Sequence, residues 1–417
     1  MKKIIALLLV CLMVAGIFAG CTKPEEKGSV YYLNFKPEFD TALQDLAKKY
    51  TEKTGVEVKV VTAASGDYSN SLTANIKDIT IFNIGNAAGL ADWDEYALDL
   101  TDSAIAKELT TNDFNLYNSK GELKAIGNCY ESYGIIVNTK LLADAGYALS
   151  EIKDFASLKA VVEDIHARAA ELGFDAFTSS GLAPSSSWRF SGHLATLPLH
   201  YEGVNSNVAT ITGSKLDLFK NTWDLYINNS ATAPSGLSNE ALDAAAEFKA
   251  GKAVFYQNGT WEYAGLKEAG MTDDQLAMIP IYCGAEGEQN AALCSGTENR
   301  WAVNAKASKA DQQASIDFLV WLVTDAEASK VYVEQLGAVP FKGCPASNNK
   351  FVVDGNAMLA AGKTSISWAF NYTPNVDAWR ATVVTALAAY SAGTAEWSAV
   401  VEAFVDGWAY EYGVVNG

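Results

Sequence analysis

Residues 29–61, SVYYLNFKPEFDTALQDLAKKYTEKTGVEVKVV, decide the fold of this 417-residue chain. Residues 29–35 predict a strand, and residues 39–50 place apolar side chains at helical spacing. Gly55 predicts the end of that helix, because glycine accepts the left-handed backbone that commonly ends helices. Residues 56–61 alternate as a second strand. A strand, helix and strand in this order predict a parallel pair with a right-handed crossover.

The same alternation of strands and helices continues along the chain. Further strands are predicted at residues 79–84, 135–137, 277–282 and 301–303, and helices at residues 158–172, 312–324 and 381–390. This alternation predicts an α/β architecture with mostly parallel sheets. We find no repeat of fixed period, and no Pro-, Gly- or Ser-rich run long enough to separate independent domains.

The N-terminus has the layout of a secretory signal. Two lysines precede an apolar stretch at residues 4–18, which is too short to span a bilayer comfortably. We therefore predict a signal peptide at residues 1–20. Small residues directly before Cys21 resemble the lipobox of bacterial lipoproteins, although Phe18 departs from the usual leucine. Cys21 is then the predicted lipidation site, with residues 21–28 as a tether. The alternative is a structural cysteine beside an ordinary cleavage site.

Composition excludes several classes of protein. The net charge is −18, so a nucleic-acid partner is not expected, because phosphate backbones are bound by surplus Lys and Arg. Apolar residues make up 49% of the chain and charged residues 19%, which is typical of a well-packed globular protein. Disorder is therefore not expected.

The cysteines are too few for a disulfide-built scaffold. Of the six, four lie beyond the predicted signal and lipidation site. Cys283 and Cys294 could form a bridge across a tight loop or remain separate thiols, and their spacing does not decide between the two. No CxxC pair is present and the three histidines show no metal-ligand spacing. We expect neither a metal nor another cofactor.

Four stretches resemble the family 1 extracellular solute-binding proteins, which include the maltose-binding protein. They are the early strand and helix ending in Thr54–Gly55–Val56, the segment ESYGIIVN at residues 131–138, the run from Gly251 to Trp261, and MIPI at residues 278–281. The resemblance covers nearly the whole mature chain. It implies a bilobal α/β fold, with crossings between the lobes near residues 134–138, 278–282 and 344–349. The implied lobes are residues 29–137 with 282–345, and residues 138–281 with 346–417.

The resemblance also implies a function and a location. Such a protein captures an oligosaccharide between its lobes and delivers it to the permease subunits of an ABC importer, without catalysing a reaction. We expect a monomer on the outer face of the cell membrane, anchored by lipidated Cys21. The resemblance favours di- to tetrasaccharides of the α-gluco or α-galacto type.

Sugar recognition needs flat aromatic faces together with polar groups that pair with hydroxyls. The family pattern places Trp261, which follows Asn258 and Gly259, under the sugar. Any single tryptophan can instead fill a core. The other candidates are tryptophans with polar or charged residues close by in the sequence, together with those neighbouring residues: Trp188, Arg189, His193, Glu262, Arg300, Trp301, Trp368 and Asn371.

Strand ends supply further candidate ligands. Glu131 directly precedes a predicted strand near the first crossing, and a carboxylate can accept two hydroxyls in one plane. The alternative is a solvated loop glutamate. Phe35, Lys36 and Glu38 lie at the end of the first strand, and Asn83 and Asn86 at the end of the third, where α/β sheets bind ligands.

Two other functions remain open. An acidic, aromatic-rich chain could be a secreted glycoside hydrolase, which needs two carboxylates flanking the scissile bond. A binding protein for peptides or anions is the other possibility. No GxSxG nucleophile motif occurs in the sequence.

Overall fold

The computed structural model describes residues 27–63 and 65–417. The strands are β1 Ser29–Asn34, β2 Glu57–Thr62, β3 Ile81–Asn83, β4 Leu116–Tyr117, β5 Leu123–Gly127, β6 Glu131–Asn138, β7 Asp175–Phe177, β8 Ala253–Gly259, β9 Leu276–Ile279, β10 Ala291–Gly296, β11 Arg300–Val303 and β12 Thr364–Ser367. The predicted signal peptide, Cys21 and most of the predicted tether lie outside the described residues.

The α-helices cover the faces of these strands. They are α1 Asp40–Thr54, α2 Ser65–Asn75, α3 Ala87–Trp93, α4 Ala104–Lys107, α5 Thr139–Asp144, α6 Phe155–Ala167, α7 Ala169–Leu172, α8 Ala195–Glu202, α9 Leu216–Ile227, α10 Ala244–Lys249, α11 Glu262–Glu268, α12 Lys309–Thr324, α13 Ala326–Leu336, α14 Lys350–Ala360, α15 Val376–Ser391 and α16 Trp397–Asn416. A buried π-helical segment, Arg189–Leu194, leads into α8. No helix in the described ranges is long and apolar enough to cross a membrane.

The β1–α1–β2 unit predicted from residues 29–61 is confirmed. β1 and β2 pair in parallel, with Ser29 opposite Glu57. α1 ends at Gly55, whose φ is 73° and whose N–H bonds to the carbonyl of Thr51. The α/β class follows from this unit and from the two sheets that contain the strands.

The first sheet has the order β2-β1-β3-β11-β5-β4. Its first three strands run in parallel, whereas β11 is antiparallel to both of its neighbours. The second sheet has the order β12-β10-β6-β8-β7, and β9 also pairs with β6. β6 is antiparallel to β8, β9 and β10. The expectation of mostly parallel sheets is therefore wrong. Both sheets are mixed, because β6 and β11, which each enter from the other sheet, run antiparallel to their neighbours.

The chain crosses between the sheets over very short connections. β5 ends in the first sheet at Gly127 and β6 begins in the second at Glu131, while β10 ends at Gly296 and β11 returns to the first sheet at Arg300. The sequence-based ranges placed residues 131–137 and 282–296 with the first lobe, although these residues contain β6 and β10 of the second sheet. Apolar periodicity identifies a strand but not its partners. We therefore propose lobes of residues 27–127 with 300–345, and 131–296 with 346–417.

Each sheet has its own core. Trp301 is buried in the first, with Phe318 and Tyr332. Trp223 is buried in the second, with Phe190 and Trp408. The alternatives left open for Cys283 and Cys294 resolve to separate, buried thiols.

Candidate functional site

A cleft of about 670 Å³ opens where the two sheets meet. That volume lies within the usual range for a small-ligand site. Its lining comes from the end of β1, both short crossings, the loops of the second sheet and one face of α15: Phe35, Lys36, Pro37, Glu38, Glu131, Leu182, Pro184, Ser187, Trp188, Ser191, His193, Trp261, Glu262, Glu298, Asn299, Trp368, Phe370, Asp377, Arg380, Ala381 and Val384. No group of three or more metal-ligating side chains occurs within the described ranges.

One wall of the cleft is aromatic. The rings of Trp188 and Trp261 lie 6.0 Å apart and are tilted by 50°. The His193 ring lies 5.0 Å from Trp188 and 5.6 Å from Trp261, and beyond it Trp368 and Phe370 lie 4.9 Å apart. Such faces suit the apolar side of a ring-shaped ligand.

Two glycines make room for two of these tryptophans. A Cβ on Gly259 would lie 2.2 Å from the Trp261 ring, and one on Gly296 would lie 2.8 Å from the Trp368 ring. Both indoles therefore lie against bare backbone at the end of a strand. Trp368 donates its N–H to the carbonyl of Cys294 at 3.0 Å, which fixes the ring. This packing is the physical reason for the glycine in the Asn-Gly-x-Trp pattern.

The π-helical segment places His193 at the base of this wall. Its ring stacks on Tyr133 with centroids 3.7 Å apart, and Nδ1 lies 2.9 Å from Nε2 of Gln257. Burial holds the pKa of His193 well below 6.5, and the nearby cations Arg380 and Arg189 lower it further. The imidazole is therefore neutral at pH 7. π-Helical turns often occur at functional sites.

The cleft lining also contains an ion-paired network. Lys36 Nζ lies 2.5 Å from Glu131 and 2.6 Å from Glu38. Asn299 donates to the other Glu131 oxygen at 2.9 Å. Burial raises the pKa of Glu131, and Lys36 opposes that shift. Glu131 thus lines the cleft with both oxygens already engaged, so a ligand hydroxyl would compete with protein partners.

The structure brings eight of the predicted site residues together in the cleft lining: Phe35, Glu38, Glu131, Trp188, His193, Trp261, Glu262 and Trp368. Glu262 accepts a hydrogen bond from Asn258 at 3.0 Å, and burial raises the pKa of its carboxyl. The lining also includes Lys36, which joins Glu38 to Glu131.

Six predicted residues lie elsewhere: Asn83, Asn86, Arg189, Arg300, Trp301 and Asn371. Arg189 donates to the backbone carbonyls of Gln257 and Ser179, at 3.1 and 3.2 Å. Trp301 is a core residue that donates to the Tyr32 hydroxyl at 2.7 Å. The polar groups of both side chains are thus occupied by hydrogen bonds within the protein. Their polar neighbours in the sequence did not indicate these partners.

The asparagines and Arg300 also have structural partners. Asn83 accepts from the backbone N–H of Arg300 at 2.7 Å, and Asn86 caps α3 by accepting from Gly89 at 2.8 Å. The Arg300 side chain donates to the carbonyl of Phe114 at 2.7 Å. Asn371 lies half-buried in a short 3₁₀ turn after Trp368.

Sequence reasoning missed the contribution of α15. Asp377, Arg380, Ala381 and Val384 line the cleft. Their spacing of three, four and seven residues places them on one helical face. The available signal was the charged pair Asp377 and Arg380 near the start of an otherwise apolar helix. Glu298 and Asn299 were also missed, because the crossing that contains them was predicted elsewhere.

Comparisons with known proteins agree with this architecture. Residues 45–348 match the model of the family described as bacterial extracellular solute-binding protein. No curated protein gives a significant sequence match. The solute-binding protein RafE in complex with raffinose has a TM-score of 0.72 at 16% identity, covering 92% of this chain and 99% of that one.

Two further structures show the same fold. A Bacillus licheniformis sugar transporter in complex with stachyose has a TM-score of 0.68 at 18% identity, covering 92% of this chain and 100% of that one. Maltose-bound MalE3 of T. maritima has a TM-score of 0.69 at 14% identity, covering 92% and 99%. On the family match and the two-sheet architecture together, the chain belongs to the bacterial extracellular solute-binding proteins.

Proposed function

We propose that this protein binds an oligosaccharide in the cleft between its sheets and presents it to the membrane subunits of an ABC importer. The observation that carries the proposal is a single cleft lined by Trp188, Trp261 and Trp368 together with carboxylates, an arginine and a lysine. Aromatic faces and hydroxyl-pairing groups are the two requirements of sugar recognition. Bound raffinose, stachyose and maltose in structures of the same fold support the choice of ligand class.

The cavity favours short oligosaccharides. A volume of about 670 Å³ suits a ligand of two to four sugar rings better than a polymer. Di- to tetrasaccharides of the α-gluco or α-galacto type are our first candidates. Raffinose, stachyose and maltotriose represent these types and form the test panel.

Calorimetric titration of the purified protein with the panel tests the proposal. We expect saturable one-to-one binding to at least one sugar, and chromatography of the same mixtures should recover that sugar intact. New reducing ends would instead favour a glycoside hydrolase. Binding only to peptides or to inorganic phosphate would favour the third alternative.

Anchoring and transport need separate tests. We propose that Cys21 carries a lipid that holds the receptor at the outer membrane surface as a monomer. Labelled palmitate should enter the wild-type chain in a bacterial host but not Cys21→Ala, which should appear in the medium. Purified receptor should raise sugar-dependent ATP hydrolysis by its reconstituted importer, and no increase would argue against the transport role.

A further inference from the structure

Arg380 presents an unused guanidinium to the cleft. It lies on the cleft-facing side of α15, and its side chain is 16% exposed. Within the described ranges it donates no hydrogen bond, and its Nε is fully buried without a partner. Its nearest carboxylate, Asp377, is 3.7 Å away and 93% exposed, so solvent weakens that pair. An orphaned buried donor is costly unless a ligand completes it.

The packing around Arg380 holds the guanidinium in place. It lies 4.8 Å from the ring of Phe370, which supports one of its faces. A Cβ on Gly192 would come within 2.9 Å of Nη2, so the glycine in the π-helical segment provides the space for this group. The arginine is thus positioned by residues from two other segments of the second sheet's lobe.

Glu298 is the complementary group. It lies in the crossing between β10 and β11 and lines the same cleft. Its backbone carbonyl accepts from Asn83 at 3.0 Å, which ties the crossing to the end of β3. Its carboxylate has neither a hydrogen bond nor an ion pair in the part of the chain that the structure describes. Burial raises the pKa of this carboxyl, and Arg380 is the strongest influence in the opposite direction.

Arg380 and Glu298 therefore line one cleft with opposite charges and form no ion pair with each other. A hydroxyl can accept from a guanidinium and donate to a carboxylate, so adjacent hydroxyls of one sugar ring can satisfy both groups. A ligand carboxylate would be repelled by Glu298 and by the other acidic residues of the lining.

We propose that Arg380 and Glu298 both hydrogen-bond to the hydroxyls of one sugar unit and make the cleft select neutral over anionic sugars. This inference rests on the proposed function and adds the residues that set its specificity.

Calorimetry on the full mature chain tests the pair. The ligands are raffinose, stachyose and maltotriose, with digalacturonic acid as the anionic probe. For the wild type we expect digalacturonic acid to bind more than tenfold more weakly than the best neutral sugar. Arg380→Gln and Glu298→Gln should each weaken that sugar at least tenfold. Glu298→Gln should also reduce the difference in affinity between the neutral sugar and digalacturonic acid. A merely structural role of Glu298 would leave that difference unchanged.

Matched controls are Arg168→Gln and Glu286→Gln, which change the same residue types outside the cleft lining and should alter affinity less than twofold. Circular dichroism checks that each variant folds. If Arg380→Gln does not fold, Arg380→Lys replaces it. Lysine keeps the positive charge but lacks the planar set of guanidinium N–H donors, so this variant should still weaken binding. Normal affinity in the folded arginine and glutamate variants would overturn this inference alone. A wild type that binds none of the neutral sugars would overturn the proposed function and this inference with it.

Discussion

At Trp261 a single side chain supplies much of the proposed stacking surface. Its ring lies against Gly259 and borders Trp188 and His193. We predict that Trp261→Ala weakens sugar binding by about tenfold or more, as loss of about 1.4 kcal/mol of contact energy would do. Calorimetry measures the change. Tyr410→Ala is the control, because Tyr410 is a 70% exposed aromatic residue on α16 away from the cleft. Equal affinity of both variants would contradict the stacking role.

Glu131 supports the fold through its ion pair. It is 6% exposed and joins Lys36, which follows β1, to the start of β6. We predict that Glu131→Ala lowers the free energy of unfolding by about 3 kcal/mol, because it breaks a buried ion pair and leaves Lys36 with Glu38 alone. Urea denaturation measures this loss. Glu327→Ala removes an exposed partner of Lys49 and should lower the free energy of unfolding far less, because solvent screens that pair. Equal losses of stability in the Glu131→Ala and Glu327→Ala variants would contradict the prediction that burial makes the first ion pair more important.

At the scale of elements, the π-helical segment makes stability depend on pH. Burial keeps the pKa of His193 well below its usual value of 6.5 in the folded chain. Below pH 6.5 the unfolded chain therefore binds a proton that the folded chain does not, so stability falls as the pH drops from 6.5 toward the lower folded pKa. The neighbouring charges of Arg189 and Arg380 act in the same direction.

We predict that His193→Gln loses less stability than the wild type between pH 7 and pH 5. Urea titrations at both pH values measure this difference. Buried carboxyls such as Glu262 and Glu298 have raised pKa values and contribute with the opposite sign. Their contribution is common to both proteins, so the comparison isolates His193. Identical pH dependence in the two proteins would show that this histidine does not titrate as described.

Helix α16 contains a glycine whose replacement should stabilise the protein. A Cβ on Gly407 would lie 3.5 Å from Trp379, which is an ordinary contact. We predict that Gly407→Ala raises the free energy of unfolding by about 0.5–1 kcal/mol, because alanine has the higher helix propensity. Gly213→Ala is the contrasting variant. Its φ is 67° and its Cβ would meet Val405 at 2.7 Å, so stability should fall. Thermal denaturation compares the two, and a Gly407→Ala variant less stable than the wild type would contradict the prediction.

At the scale of the whole molecule, short crossings join two separately packed sheets. Such connections allow one lobe to rotate against the other when a ligand fills the cleft. A sugar at 100 times its dissociation constant should stabilise the folded chain by about 2.7 kcal/mol. We predict a higher melting temperature and a smaller radius of gyration with the bound panel sugar, measured by calorimetry and X-ray scattering. An unchanged radius of gyration with a raised melting temperature would show binding without closure.

The sequence alone determined the local elements and the family resemblance. The β1–α1–β2 unit was predictable, since helical and strand periodicities and the Gly55 stop are properties of neighbouring residues. The Asn-Gly-x-Trp pattern likewise placed Trp261. Only the tertiary structure decided which strands share a sheet, which tryptophans face the cleft and which charges stay unpaired. Trp261 and Trp301 have equally polar neighbours, yet one lines a cavity and the other fills a core. Arg380 and Glu298 line one cleft although 82 positions separate them in the sequence. Such proximity depends on contacts between distant segments, which local periodicity does not encode.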